Sequence, residues 1–382
     1  MASAPRAVVV LTDQVGEDGA RLHVATKTLT GLQLFAENWP GELVAVAARR
    51  AAAAGEPGDT AATRGELPFA VELVERPERA RSVAGAAVVH AFHQWDHAPL
   101  VAVAGRRLVW VGEFPVSERI RTALLGASGV RRARIVAGWL RRGRLLRRMI
   151  RSSGGYQANG YPAWETDARL APSRMLFFDT RATAEQVARE PMLRARAGLA
   201  EPPPLRIAFS GRHVPAKGPR FVLEAVARLR EGGLPATLDV FGDGEQRPDL
   251  ERAAAGLPGV RFHGWADYES AWVPFVREEV DLFVLPHTQG DPSGTYLEAA
   301  ASGVPVLGFD NRALTPLVRE HGLGWTVRPG SAHLLAERIA ELAVDRETLV
   351  TSSRRGQSFM AGHLARTEFA ARTRHLRQVA QV

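Results

Sequence analysis

The chain has 382 residues and a mass of 41.4 kDa, with 46% hydrophobic and 24% charged residues, a formal net charge of +8 and no cysteine. That length exceeds one ordinary hydrophobic core and predicts two α/β domains. The missing cysteines exclude disulfides, thiolate metal centres and cysteine nucleophiles. Arginines spread along the whole chain carry the basicity, with no nucleic-acid recognition motif beside them, so no nucleic-acid partner is expected.

Met1 to Arg6 leads straight into an apolar strand, Ala7 to Leu11, rather than into a signal peptide, and no apolar run approaches membrane-spanning length. A cytoplasmic protein is therefore expected. A glycine loop, Gly16 to Gly19, comes next, then a helix over Arg21 to Asn38 and a strand over Glu42 to Ala47. Ala51 to Ala54 is the one low-complexity tract. Short β-like runs recur at Ala70 to Val74, Ala86 to His90, Leu108 to Val111 and Met175 to Phe178, the rhythm of a doubly wound sheet.

Strand carboxyl ends in such a sheet face the ligand crevice. His90, His93 and His97, with Asp96, occupy one such end, so at least one of these imidazoles is a candidate contact for a bound substrate. Their spacing also imitates a metal site, but a turn does not hold helical spacing, and no metal is expected. The turn Gln157 to Pro162 offers Asn159 to a cleft, with core packing of Tyr161 as the plainer alternative. Between Arg131 and Arg151 lie nine arginines interleaved with apolar residues at helical spacing. Two readings are open for this helix: a solvated surface face, or peripheral contact with an anionic membrane or an acidic acceptor.

Glu201-Pro202-Pro203-Pro204 interrupts the rhythm and reads as an interdomain linker, giving domains over 1–200 and 205–360. Strands restart at Leu205 to Phe209, Ala236 to Phe241, Val260 to Phe262, Leu282 to Leu285 and Val304 to Phe309, and one helical stretch over Ser352 to Gln381 closes the chain. The first of these strands runs into Gly211-Arg212-His213-Val214-Pro215-Ala216-Lys217-Gly218 and then a helix-patterned segment. Strand, glycine turn with two cations, then helix is a phosphate-binding layout, because glycine lets backbone approach the ligand while Arg and Lys neutralise it. Lys217 is one of only two lysines in the chain, which suggests a need for a compact ammonium at that position.

A second signature runs from Gly290 to Val306. Ser293 is placed to cap a helix whose first amides, Gly294 and Thr295, would face an anion, and Glu298 lies one turn further on. A carboxylate there can accept two hydrogen bonds from the vicinal hydroxyls of a ribose. The plainer reading is that it complements the helix dipole.

Ser210 to Lys217, Phe241 to Glu245, Val260 to Trp265, Gly294 to Glu298 and Ser302 to Val306 together resemble, in that order, the family-4 retaining glycosyltransferases. The resemblance covers about Leu205 to Leu342. It implies a GT-B fold: two facing Rossmann-like domains, with the nucleotide sugar held mainly by the second and the acceptor by the first, and with a C-terminal helix, 361–382, returning to the first domain. It implies transfer of a hexose-type sugar from a nucleoside-diphosphate donor, UDP foremost, to a small-molecule or lipid-linked hydroxyl acceptor, with no cofactor and no metal.

Residue by residue, Arg212 and Lys217 match the pair that neutralises the donor diphosphate, Gly211 the close-approach glycine, and Gly294 and Thr295 the backbone cradle. Glu298 matches the second glutamate of Glu-x7-Glu, and His263, Gly264 and Trp265 fall where the family lines the base pocket. Trp265 reads equally as a core or interface aromatic. Gly16 to Gly19 loosely matches the phosphate-side glycine loop of the first domain, with Gly19 the donor-side candidate. Two departures stand out. Gly290 occupies the place of the first glutamate, leaving Asp291 as the nearest carboxylate, and Glu113 follows the strand that often ends in a histidine. Asp291 and Glu113 are the candidate substitutes.

Rival readings are a degenerate GT-B protein that binds the donor without transfer, a phosphorylase, for which neither lysine has a pyridoxal context, and a dinucleotide enzyme, for which no Gly-x-Gly-x-x-Gly follows the first strand.

Overall fold

The computed structural model describes residues 4–50, 58–124, 128–201 and 203–381. The alanine tract and Pro202 of the proline-rich step lie outside the described residues. The chain divides into two compact units: Met1–Asp179 with Arg366–Val382, and Thr180–Ala365.

The first unit contains β1 (Arg6–Val10), β2 (Gly16–Asp18), β3 (Arg21–Ala25), β4 (Glu42–Ala47), β5 (Asp59–Thr63), β6 (Ala70–Leu73), β7 (Val88–Phe92), β8 (Leu108–Gly112), β9 (Gly155–Asn159) and β10 (Ser173–Phe177). Seven of these form an all-parallel sheet in the order β10-β9-β8-β7-β1-β4-β6. Ala7 to Val10 and Leu43 to Ala47 are buried along their whole lengths, as strands covered on both faces must be.

The helix expected over Arg21 to Asn38 begins only at Thr26. Arg21–Ala25 is instead the central strand of a small antiparallel sheet, β2-β3-β5, with Leu22 and Val24 alternately buried. Pairing to two neighbours overrides a stretch whose composition is neutral between helix and strand. Gly19 therefore sits at a hairpin tip, at φ +58°, and not in a turn between strand and helix.

The turn expected over Gln157 to Pro162 is instead the end of β9 and the start of a helix, Gly160–Thr166, and all five residues of β9 are buried. Their polar side chains are satisfied from the C-terminal helix Ala365–Ala380 and from neighbouring loops: Gln157 Nε2 donates to the Arg372 carbonyl at 3.0 Å, and Arg372 Nε donates to Gln157 Oε1 at 3.0 Å. Arg372 is buried against the rings of Phe177, Phe369 and Phe35, and that burial lowers its pKa to about 10. The closing helical stretch is two helices, Arg346–Gly362 and Ala365–Ala380, broken at His363.

In the second unit, β11 (Leu205–Ser210), β12 (Ala236–Phe241), β13 (Val260–Gly264), β14 (Leu282–Leu285), β15 (Val306–Phe309) and β16 (Gly324–Val327) form one parallel sheet in the order β13-β12-β11-β14-β15-β16. Residues 180–200, expected with the first domain, belong to this unit. Arg196 pairs with buried Asp281 at 2.6 Å, and Gln186 Nε2 donates to Ser302 Oγ at 2.9 Å. Pro203 is also tied in, its carbonyl accepting from Arg346 at 3.0 Å.

The turns after β11 and β12 interlock. His213 N donates to the Asp243 carbonyl at 2.8 Å and Gln246 N to the His213 carbonyl at 3.0 Å. A Cβ on Gly242, whose φ is +100°, would lie 2.1 Å from the Gly211 carbonyl oxygen. Gly242→Ala should therefore destabilise the protein by about 2–3 kcal/mol. Gly256→Ala, where a Cβ meets nothing within 4 Å, should stay within about 0.5 kcal/mol of the parent. Urea unfolding of the two variants checks the contrast.

Candidate functional site

In the second sheet the strand order reverses between β11 and β14, and ligands of open α/β sheets bind outside the carboxyl ends at such a point. Both sequence signatures begin there. After β11, Pro215–Lys217 makes one 3₁₀ turn and Gly218, at φ +69°, starts the helix Pro219–Glu231. A Cβ on Gly218 would come within 2.3 Å of the Pro286 carbonyl oxygen, so the two turns approach as closely as backbone allows. Thr288 N donates to the Ala216 carbonyl at 3.0 Å and fixes that approach.

This packing delivers Lys217 to Asp291: the ammonium donates to Oδ2 at 3.1 Å, with the two side chains only 11% and 10% exposed. Two candidate residues far apart in sequence are thus brought together. Asp291 Oδ1 is buried without a hydrogen-bond partner among the described residues, and so is Nε2 of His287 in the same loop. His287 Nδ1 shares a proton with the Tyr296 hydroxyl at 2.9 Å, and Asn311 Nδ2 donates to that hydroxyl at 3.3 Å. Burial, with a smaller contribution from the Lys217 charge, holds the His287 pKa well below the usual histidine value, so the ring is neutral.

Ser293 stands at the N-cap of the helix Gly294–Ala301, as its position suggested, but its hydroxyl makes no capping bond. The amides of Gly294 and Thr295 open the helix and have no acceptor within it. Glu298 is buried. Arg181 Nε donates to Glu298 Oε1 at 2.8 Å, with Nη2 2.8 Å from the same oxygen, and the guanidinium carbon lies 3.8 Å from the centre of the Tyr268 ring. Tyr268 donates to Gln186 Oε1 at 3.1 Å. Arg181, Tyr268, Gln186 and His287 carry no motif and escaped the sequence reading. Arg212 is exposed, and its side chain has no partner among the described residues.

At the end of β13, His263 Nε2 meets Asp239 Oδ1 at 2.7 Å and its ring stacks on Phe241 at 4.5 Å. The Gly264 carbonyl accepts from Gly242 N at 2.7 Å, an internal backbone bond. Trp265 is 62% exposed, which removes the core reading of that residue.

In the first unit, Asn159 Nδ2 donates to Glu113 at 2.8 Å and Asn159 Oδ1 accepts from Asp179 N at 3.0 Å, which joins two candidates at the carboxyl edge of β8 and β9. Lys27 pairs with Asp179 at 2.6 Å.

The histidines correct the expectation of a ligand-facing cluster. His90 lies inside β7, two residues before its end, and contacts Gln157 Oε1 at 3.2 Å. His93 Nε2 bonds the Leu146 carbonyl at 3.0 Å, and His97 Nδ1 bonds the Phe92 carbonyl at 2.9 Å. All three are buried on separate partners. Burial lowers the His93 pKa to about 4 and pushes His90 well down, which fits neutral rings built into the core. Among the described residues no group of three His, Cys, Asp or Glu is placed to hold a metal ion.

Comparison with solved structures gives the class of fold first. The crystal structure of Anabaena Alr3699/HepE in complex with UDP-glucose superposes with a TM-score of 0.62 over 97% of this chain and 98% of that one, at 17% identity. Two parallel-sheet Rossmann-like units with this likeness define a GT-B fold. Residues 204–345, within the second unit, match the family described as glycosyl transferases group 1. Similar proteins include the 2-deoxystreptamine glucosyltransferase of Streptomyces kanamyceticus, 30% identical over 171 residues. Another is the lipopolysaccharide core biosynthesis glycosyltransferase LpsE of Rhizobium meliloti, 32% identical over 176 residues. The matches cover 44% and 45% of this chain, and the chain spans 44% and 49% of those relatives, about half their length.

Lys217 and Asp291 form a nearly dry ion pair, so removing one charge strands the other. Asp291→Asn should lower stability by about 3 kcal/mol in urea unfolding without ligand. A loss below about 1 kcal/mol would mean that the carboxylate does not hold the lysine.

Proposed function

We propose that this chain is a metal-independent, retaining glycosyltransferase of family 4. In this reading it moves a hexose-type sugar from a nucleoside-diphosphate donor, UDP foremost, to a hydroxyl of a small-molecule or lipid-linked acceptor. The observation that carries the reading is the Lys217 ammonium held at the switch point, with the open amides of Gly294 and Thr295 in the loop and helix that also supply Asp291. The UDP-glucose bound by the structural neighbour supports the choice of donor.

The chemistry follows from where charge develops. As the glycosidic bond to the diphosphate breaks, negative charge grows on the β-phosphate. A fixed ammonium, the exposed Arg212 and a helix N-terminus stabilise that charge more in the transition state than in the ground state. The acceptor hydroxyl attacks from the face the diphosphate leaves, and its proton passes to the departing phosphate. No protein nucleophile and no metal are required on this route. Asp291 stands beside the position where the family has a glutamate, and in this reading its buried Oδ1, unpartnered among the described residues, takes a sugar hydroxyl. Glu113, fixed by Asn159, is the candidate carboxylate on the first unit.

Gly290, with no side chain, favours one alternative: a protein that binds the nucleotide sugar without transferring it.

The test has two parts. UDP at about 100 times its dissociation constant should stabilise the fold by roughly 2.7 kcal/mol with EDTA present. No shift with UDP or GDP at millimolar concentration, or a shift only with divalent metal, contradicts the reading. With donor and acceptor saturating, Lys217→Ala should lower turnover on the order of 100-fold, and Lys217→Arg should not rescue it, because a planar fork does not fill the place of an ammonium. UDP binding with no turnover on any acceptor would favour the alternative.

A second surface bears on the acceptor. The helix Gly129–Ser152 has nine arginines, all exposed, and no acidic residue, and its buried residues are Gly143, Leu146, Met149 and Ile150. Val130, Leu140 and Leu145 are exposed on it, and Arg142 lies over exposed Trp95 at 5.4 Å. Among the described residues no helix is long and apolar enough to cross a membrane. Arginine with exposed Trp and Leu is the composition of an interfacial helix, and we propose that this face rests on an anionic lipid surface. The protein should sediment with phosphatidylglycerol vesicles at low salt and not with phosphatidylcholine vesicles. Replacing Arg141, Arg144 and Arg148 together by glutamate should abolish the association. Equal binding to both lipids, or an unaffected triple variant, would refute the contact.

A further inference from the structure

Glu298 is held in an unusual way. The Arg181 Nε–H donates to one oxygen, Oε1, at 2.8 Å and Nη2 stands at ion-pair distance, 2.8 Å, from that same oxygen, while Oε2 has no partner among the described residues. The arginine is itself fixed, its plane stacked 3.8 Å over Tyr268. The Tyr268 hydroxyl donates to Gln186 Oε1 at 3.1 Å, Gln186 Nε2 to Ser302 Oγ at 2.9 Å, and Ser302 Oγ back to the Glu298 carbonyl at 2.9 Å. Three segments distant in sequence thus close one circuit around a single carboxylate, tying its side chain and its own backbone.

A circuit that served only to neutralise a buried carboxylate would engage both oxygens, since bidentate Arg–carboxylate pairing is the stronger geometry. Converging on Oε1 leaves Oε2 and its lone pairs unengaged, with the free rotation of the glutamate removed. Lysine would not reproduce this arrangement. A point charge cannot lie flat over the phenol ring and direct a fixed N–H to one carboxylate oxygen at the same time.

We infer that Arg181 is a positioning residue that presents Glu298 Oε2 to the ribose hydroxyls of the nucleotide, so that the arginine sets the discrimination between ribose and deoxyribose donors. This rests on the nucleotide-sugar reading above. Arg181 acts through Glu298, with Tyr268 and Gln186 holding the arginine in turn.

The measurement is the ratio of dissociation constants for 2′-deoxy-UDP and UDP by titration calorimetry. The proteins compared are the parent, Arg181→Gln, Arg181→Lys, Glu298→Gln and the double variant Arg181→Gln/Glu298→Gln. The parent should prefer UDP by about 10-fold or more, the worth of a hydrogen bond to a charged group. In both Arg181 variants the ratio should fall to within about threefold, as in Glu298→Gln, and the double variant should bind UDP no more weakly than Glu298→Gln alone. Tyr268→Leu, which removes the platform and keeps the arginine, should lower the ratio in the same direction, and it carries the test if Arg181→Gln does not fold.

Arg181 variants that keep the parental ratio, even with uniformly weaker binding, would overturn the inference and reduce the circuit to a structural tie. A parent that binds UDP but does not distinguish it from the deoxy nucleotide would remove the ribose role of Glu298, and this inference with it, while leaving the donor reading standing. A parent that binds no UDP would fail the donor reading itself.

Discussion

A lysine side chain at the edge of a sheet whose interior is apolar must be held in place by what surrounds it. Lys217 is held through the approach of two backbone turns, Gly218 against Pro286 and Ala216 against Thr288. That approach sets where the lysine stands and which loop can answer it. The answering group is Asp291, two residues before the N-cap of the helix that bears Glu298. A slip of either turn would separate the cation from its partner and misplace the helix N-terminus together. The glycines around the site are therefore requirements of contact: side chains at 218 or 242 would strike carbonyl oxygens well inside van der Waals distance.

The ionised groups of this region are arranged unevenly, and the unevenness is informative. Structural pairs are fully engaged, as where Asp281 takes Arg196 and the Arg206 amide. Asp291 and Glu298 each give one oxygen to a cation and leave the other unbonded. A buried carboxylate oxygen left unbonded costs stability, so the persistence of Asp291 Oδ1 fits a group held for something that arrives later. His287 differs again, since its neutral ring, low in pKa through burial, adds no charge beside the lysine.

Much of the second unit was legible because its signals are local. Buried parallel strands read as apolar runs, and glycine, lysine and N-cap residues sit at fixed offsets from strand ends; Ala236–Phe241 and Leu282–Leu285 fall where the run of residues puts them. The failures have a common physical origin in partners that are distant in the chain. β9 is a strand whose Gln157 and Asn159 are acceptable in a core only because Arg372, Glu113 and Asp179 come to meet them. β3 is a strand because β2 and β5 pair with it. The His90, His93 and His97 spacing looked chemical, yet each ring answers a separate core acceptor, a use of histidine that spacing does not distinguish from a site. Arg181 was invisible for the opposite reason: one arginine among forty-seven carries no local signal until Tyr268 and Glu298 surround it.

Gly290 and Asp291 are where this chain departs from the pattern it resembles, and the geometry shows what the departure changes. Moving the carboxylate one residue along the loop and shortening it by one methylene places it on Lys217, with Oδ1 left over. A carboxylate that both restrains the lysine and faces a sugar would couple the two ends of the donor. Contact with the sugar hydroxyl would draw on the same group that orients the cation under the leaving phosphate. On the proposed donor reading, such coupling would favour donors whose sugar and diphosphate are engaged together and weaken the hold on free nucleoside diphosphate, whose phosphate alone would compete with Asp291 for the ammonium. On that same reading the substitution would bear on product release as directly as on sugar choice, because the carboxylate that competed with bound diphosphate would also receive the lysine once the diphosphate departed.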